Sequence, residues 1–169
     1  MAILGETIDT PRHLYIYKLG AALKMEKKIY EDMLPELEQA AHARELKQSL
    51  AQHRRETQGH IRNLEQVFRA LGERPEEQSC ATIEGIEKEG QAMLRQVDED
   101  LNDAVILSGV VETEAHEIAV YDGLITKAQA MGEEDVVALL QENLENEQQT
   151  LHKARRTAEQ LAKRTLQHA

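Results

Sequence analysis

The sequence predicts an all-α protein, an antiparallel four-helix bundle that forms one domain over residues 1–169, with carboxylates in its core. Strong helix formers dominate the composition, whereas turn-forming residues are few, with 9 Gly and 3 Pro. Apolar residues recur every three or four positions through four long segments, as expected of helices that bury one face. Aromatic residues make up only 3% of the chain, so the core must be mainly aliphatic.

Proline and glycine predict where the helices begin and end. Pro11 suits a first helical turn, and Pro35 predicts a kink or a break inside the first long helix. Gly72 and Gly132 are expected to end the second and third long helices. A short extra helix falls in the crossover between these two. The predicted helices cover Pro11 to about Ala41, Ala43 to Leu71, Ala81 to Gln96, Asp98 to Met131, and Glu133 to Gln167.

Each long helix carries an apolar seam that is interrupted near its middle by residue types that bind metals. The predicted seams are Leu19, Leu23, Glu26, Tyr30, Met33, Leu37 and Ala40; then Leu46, Leu50, His53, Thr57, His60, Leu64, Val67 and Leu71; then Leu101, Ala104, Ser108, Val111, Glu114, Ile118, Tyr121, Ile125 and Ala128; and finally Val137, Leu140, Leu144, Glu147, Leu151, Ala154, Ala158 and Leu161. Glu56 lies beside the second seam. Because the midpoints of antiparallel helices lie at similar heights, these groups are expected to converge.

Carboxylates at the centre of a bundle need a compensating charge. A lone ionised carboxylate in an apolar core costs several kcal/mol, and several together also repel one another. A pair of bound divalent cations removes both problems, and a metal site is therefore favoured over a polar core layer. Without metal, Glu147→Gln is expected to stabilise the protein, because it removes one of several like charges.

The spacing of the glutamates indicates two related halves. The separation is 30 residues in both of two pairs, Glu26 with Glu56 and Glu117 with Glu147. The pairs are offset by 91 residues, and the same offset relates Tyr30 to Tyr121. This repeat is consistent with two helix pairs related by a pseudo-twofold axis, which could frame a symmetric two-metal site.

Several stretches of the chain together resemble a known family. They are residues 25–28 (MEKK), 53–68 (HRRETQGHIRNLEQVF), Leu71-Gly72, Pro75, residues 80–90 (CATIEGIEKEG) and residues 114–121 (EAHEIAVY). With these stretches the chain resembles the ferritin-like YciE/YciF family of bacterial stress proteins over roughly residues 10 to 165. The resemblance implies a ferritin-like bundle with a dinuclear site for two ions of iron or manganese.

The resemblance also implies a set of metal ligands. The general pattern takes one Glu from each of two helices and Glu-x-x-His from each of the other two. The candidate ligands are Glu26, His53, Glu56, His60, Glu114, Glu117 and Glu147. Glu56 and Glu147 are expected to bridge the metals, and the other glutamates to be terminal or switching ligands, with Glu114 and Glu117 similar to the paired glutamates of rubrerythrins. Three residues after the bridging glutamates stand Gly59 and Thr150 instead of histidine, so the choice between His53 and His60 as nitrogen donor stays open.

The leading functional interpretation is a ferritin-like stress protein that reacts with O₂ or peroxide at its metal pair. Turnover would require an external reductant, since Cys80 is the only cysteine and no rubredoxin-type relay can be formed. The alternative is a non-catalytic dimeric scaffold or stress protein with a weak or vestigial metal site. Iron storage in a cage is less favoured, because the extra helix lies in the crossover and no short helix follows the fourth.

Charge and composition narrow the partners. The net charge of −11 disfavours binding to nucleic acid. No apolar run is long enough to span a membrane, and the single cysteine is typical of a reducing cytoplasm. The low aromatic content and the family resemblance predict a small oligomer, most simply a homodimer.

Overall fold

The computed structural model describes residues 7 to 166, and the prediction of an all-α bundle is confirmed over that range. The elements are α1 (Pro11–Lys28), a π-helical segment (Ile29–Met33), α2 (Leu34–Ala40), α3 (Arg44–Ala70), α4 (Ala81–Leu94), a 3₁₀ turn (Glu99–Leu101), α5 (Asn102–Met131) and α6 (Glu134–Leu166). Within these described residues, no helix has the length and apolarity to cross a membrane.

The helices begin and end where local chemistry predicts. The Thr10 side chain accepts a hydrogen bond from the backbone N–H of His13 and so caps α1, with Pro11 as the first helical residue. Gly72 and Gly132, which follow α3 and α5, have φ values of +75° and +73°. These left-handed conformations stop a helix with little strain only at glycine.

Pro35 is accommodated by a π-helical turn, so the first long helix continues through it. The N–H of Leu34 donates to the carbonyl of Ile29, five residues earlier. In this register the next N–H would donate to the carbonyl of Tyr30, but Pro35 has none. Arg54 of α3 donates its Nε to that carbonyl at 3.1 Å, and its guanidinium also lies 5.0 Å from the centre of the Tyr30 ring. The extra residue in the turn rotates the helix, which leaves Tyr30 partly exposed and buries Ile29.

The helices pack as two hairpins with α4 lying on α5. The first hairpin joins α1 and α2 to α3, the second joins α5 to α6, and α6 also packs on α3. Two apolar clusters occupy successive levels along the bundle. One includes Leu19, Leu64 and Leu140, and the other includes Leu34, Leu50 and Ile106, so the middle of every long helix lies between the two clusters.

The predicted seams agree with the buried faces on some helices better than on others. Every member of the seam of α3 is buried. On α5 the seam holds from Glu114 onward, but Leu101, Ala104 and Ser108 are exposed, and the residues buried in their place are Ile106, Leu107 and Val110. Apolar residues cover more than one face of this half of α5, because α4 packs against it as well. On α6, Val136 and Asn143 are fully buried, while Val137 is only half-buried.

Candidate metal centre

Six of the seven candidate ligands meet between the two apolar clusters. One comes from α1 (Glu26), two from α3 (His53 and His60), two from α5 (Glu114 and Glu117) and one from α6 (Glu147). All six are buried, and the most accessible of them, His53, is 4% exposed. A cluster of four carboxyl groups and two imidazoles in the interior of a bundle is unusual, because each ionised group there needs a compensating charge.

The first group of donors contains His53, Glu114, Glu117 and Glu147. Each supplies one atom, and these four atoms lie within 4.8 Å of one another. His53 Nε2 is 3.0 Å from Glu114 Oε1, which holds the imidazole against α5. Atoms at such separations can all reach one cation, since metal–ligand bonds of about 2.0–2.3 Å place donors up to about 4.5 Å apart.

The second group contains Glu26, His60 and Glu147, again with one atom of each within 4.8 Å of the others. His60 Nδ1 lies 2.7 Å from Glu147 Oε1 and 3.5 Å from Glu26 Oε1. Glu147 belongs to both groups, so its carboxylate stands where two adjacent cations could share it. The sequence left open whether His53 or His60 is the nitrogen donor, and the structure places one histidine in each group.

Glu56 lies outside both groups. Its side chain is 26% exposed, and its Oε2 is 3.9 Å from His53 Nδ1. Gln52 donates to its other oxygen at 2.8 Å. The nearby imidazole of His53 lowers the pKa of Glu56 to about 2, against a smaller opposing effect of burial. In this structure Glu56 therefore contacts the outer nitrogen of His53, and it does not stand between the two groups as a bridging ligand would.

A chain of hydrogen bonds reaches the centre from the α3–α6 side. Asn63 donates to the side-chain oxygen of Asn143 at 2.8 Å, Asn143 donates to the hydroxyl of Tyr121 at 3.0 Å, and Tyr121 donates to Glu26 Oε1. Asn143 also donates to the carbonyl of His60 at 3.3 Å. Asn143 is not among the residues predicted from the sequence, although its position four residues before Glu147 places it on the same face of α6.

Burial raises the pKa of two of the carboxyl groups, Glu114 and Glu117. Burial raises the pKa of Glu114 to about 8, although the charge on His53 acts in the opposite direction. Burial and the negative charges of Glu147 and Glu26 raise the pKa of Glu117 well above its usual range. Without a cation, both of these carboxyl groups therefore tend to keep their protons near neutral pH.

The histidines are held as cations. Burial disfavours the imidazolium, but the charge of Glu114 and a hydrogen bond to it raise the pKa of His53 well above its usual value. Burial opposes the charged form of His60 too, but Glu26 and Glu147 together raise its pKa to about 10. The pKa of Glu147 is lowered despite its burial, because His60 bonds to it and carries a positive charge. Without metal, His60 and Glu147 thus form a buried ion pair.

The buried donor set could hold metal. Both carboxylate oxygens of Glu117 lack a hydrogen-bond partner among residues 7–166, and so do Oε2 of Glu26 and Oε2 of Glu114. Buried polar atoms are rarely left unpaired, and such atoms often face an ion. The charge of four carboxylates equals that of two divalent cations, with both imidazoles neutral. Mixed carboxylate and imidazole ligands suit iron and manganese.

The fold and this cluster define a ferritin-like helical bundle with a buried carboxylate–histidine centre. A family model described as "Domain of unknown function (DUF892)" matches residues 10–167, and the chain belongs to that family. The chain is 27% identical over 145 residues to Protein YciF of Escherichia coli (strain K12), covering 85% of this chain and 87% of that protein.

Solved structures show the same likeness. YcfI from Rhodopseudomonas palustris, described as a proposed structural protein, superposes with a TM-score of 0.86 at 33% identity, covering 90% of this chain and 97% of that one. The crystal structure of the E. coli stress protein YciF gives a TM-score of 0.83 at 27% identity, covering 89% and 95%. The resemblance inferred from the sequence is thereby confirmed.

Proposed function

We propose that this protein is a stress-response protein whose buried centre holds two ions of iron or manganese and reacts with O₂ or peroxide. The observation that supports it best is Glu117, a fully buried carboxyl group with no partner for either oxygen in the described part of the chain. Three further buried carboxyl groups and two imidazoles surround it. Two cations would supply the missing partners and balance the charge.

The proposed ligand roles follow the two groups. His53, Glu114 and Glu117 would hold one ion, Glu26 and His60 would hold the other, and Glu147 would be available to both. When bound, the metals supply electrons to O₂ or peroxide, and an external reductant restores them. Glu56 keeps His53 in orientation through its contact with Nδ1, in the way that residues outside a metal's ligand set fix imidazole rings.

The remaining contribution of the chain is exclusion of water. Apolar clusters close the bundle on both sides of the centre, with Leu23 and Leu64 at one level and Leu50 and Ile106 at the other. A dry surrounding strengthens the attraction between the carboxylates and the cations. It also keeps reactive oxygen species away from bulk solvent. The stress-response part of the proposal rests on the relative YciF, which is described as a stress protein.

A second candidate is a non-catalytic helical scaffold. The ion pair between His60 and Glu147, at 2.7 Å, balances part of the buried charge without any metal, and His53 contacts Glu114 at 3.0 Å. YcfI, the relative with a TM-score of 0.86, is described as a proposed structural protein. In this candidate the centre acts as a polar layer that specifies how the helices pair, and metal binding is weak.

Metal content separates the two candidates. Purified protein would be stripped with chelator, titrated with ferrous or manganous ion without oxygen, and then mixed with peroxide. The metal centre predicts about two ions per chain and rapid peroxide consumption. It also predicts that Glu117→Gln loses tight binding, whereas Glu112→Gln, an exposed glutamate of the same helix, does not. No tight binding in the wild type would favour the scaffold.

A further inference from the structure

A cavity of about 70 Å³ lies between α3, α5 and α6, beside the candidate centre. The ring of His53 forms part of its lining. Exposed Ser49 and half-exposed Thr150 lie at its outer part, and the buried side chains of Leu50, Val110 and Ala154 form inner walls. Because His53 is also a proposed metal ligand, the cavity ends against the centre itself.

The size of the cavity limits what can pass through it. A volume of 70 Å³ corresponds to roughly five water molecules, at about 10–15 Å³ for each. Molecular oxygen and hydrogen peroxide, with two heavy atoms each, fit such a space. An organic hydroperoxide with an aromatic or branched substituent does not.

The lining also favours the entry of uncharged molecules over ions. Among the buried residues of the lining only His53 is polar, and the other polar lining residues lie at more exposed positions: Glu45, Ser49, Thr150 and Thr157. A hydrated ion would therefore find few polar groups to replace the water that it loses in the buried part. A small uncharged molecule has no such cost. Two small residues of α6, Thr150 and Ala154, line the cavity and leave it unfilled. They follow Glu147 by three and seven positions, which correspond to about one and two helical turns.

We propose that this cavity is the route by which a small uncharged oxygen species, O₂ or H₂O₂, reaches the centre, and that its walls exclude larger peroxides. The inference rests on the proposed function and specifies its substrate class. Size and polarity of the lining set the selectivity, and His53 is the ligand nearest the incoming molecule.

The test narrows the cavity and leaves the ligands intact. Ala154→Leu adds three carbon atoms inside it, and Ala162→Leu, at an exposed position of the same helix, is the matched control. Thr150→Leu is a second narrowing variant that lies nearer the surface, in case Ala154→Leu does not fold. Ferrous protein would be mixed with nitric oxide, an uncharged diatomic probe, and its association rate followed by absorbance. Crystals without metal would be pressurised with xenon.

We expect association to slow by about tenfold or more in the narrowed variants and to stay unchanged in Ala162→Leu, with equal metal content in all. We also expect a xenon atom beside His53 in the wild type and in Ala162→Leu, and none there in the narrowed variants. Hydrogen peroxide should react much faster than cumene hydroperoxide. This inference alone would be overturned if Ala154→Leu and Thr150→Leu bound nitric oxide as fast as the wild type, or if the two peroxides reacted at equal rates. Failure of the wild type to take up metal would overturn the proposed function together with it.

Discussion

Tyr121 of α5 donates its hydroxyl hydrogen to Glu26 of α1, across the centre of the bundle and 95 residues away in sequence. Asn143 donates to the same hydroxyl, so the tyrosine proton is directed toward the carboxylate. Oε1 of Glu26 is thereby occupied, and Oε2 stays free to bind a metal. Tyr30, which the sequence repeat relates to Tyr121, is partly exposed with its hydroxyl 3.4 Å from Gln58, so the two tyrosines have different surroundings.

Tyr121→Phe should destabilise the metal-free protein by about 1–3 kcal/mol, because a buried carboxylate oxygen and the amide of Asn143 lose their partner. Urea unfolding with chelator measures this. Tyr30→Phe is the matched control and should change stability by no more than about 0.5 kcal/mol. Equal effects of the two substitutions would show that the Tyr121 hydrogen bond has no special energetic role.

Glu147→Gln should abolish the stabilisation of the protein by ferrous or manganous ion, since the shared ligand loses its charge. In the metal-free protein the ion pair with His60 reverses the sign expected from sequence. Breaking that pair should destabilise the fold by about 2–4 kcal/mol. Glu117 tends to keep its proton without metal, so Glu117→Gln replaces one uncharged group by another and is expected to change the stability of the metal-free protein little.

Thermal melting with metal and with chelator tests these expectations. Glu134→Gln, an exposed residue of α6, serves as the control and should respond to metal like the wild type. If metal raised the melting points of the wild type and of Glu147→Gln equally, the shared-ligand assignment would be wrong.

The metal-free protein should lose stability as the pH rises from about 6.5 to 10. The folded pKa of His60, about 10, and that of Glu114, about 8, both lie above their unfolded values, so the folded state binds more protons in this window. The slope of unfolding free energy with pH is then negative. Melting with chelator should show a fall of more than about 5 °C across the window.

Metal binding should change with pH in the opposite direction to the stability of the metal-free protein. Cations displace the protons of the centre, so their affinity should increase with pH over the same range. A metal-free melting temperature that is flat or rises would contradict the ionisation states assigned to His60 and Glu114.

Arg54→Met should lower the free energy of unfolding by about 1–2 kcal/mol, because the carbonyl of Tyr30, to which Pro35 cannot donate, loses its donor. Arg55→Met provides the control, since Arg55 is exposed and bonds only to Gln52 among the described hydrogen bonds. Chemical unfolding of both variants gives the difference. A loss below about 0.5 kcal/mol for Arg54→Met would show that solvent satisfies this carbonyl equally well.

We expect a homodimer in solution, from the low aromatic content and the family to which the chain belongs. Light scattering on purified protein should give twice the chain mass of 19.1 kDa. A large closed shell would contradict the dimer and favour iron storage.

The sequence alone was sufficient for the features that depend on neighbouring residues. Proline, glycine and the Thr10 cap predict the helix ends, because these effects act within one or two turns. The seam of α3 was predicted completely, since its apolar residues occupy one narrow face. The ionisable residues that interrupt the seams also identified five of the six side chains that meet in the core, and the sixth, Glu117, came from the glutamate spacing and the family resemblance.

Tertiary packing decided the rest. The phase of the first half of α5 could not be read from its sequence, because apolar residues there face both the bundle and α4. Likewise, only the packing of four helices determines that Glu56 stays at the edge while both histidines turn inward, and that Asn143 meets Tyr121. Helical periodicity places a residue on a face, but a separation of a few ångströms between side chains from different helices depends on how those helices are rotated and shifted against one another.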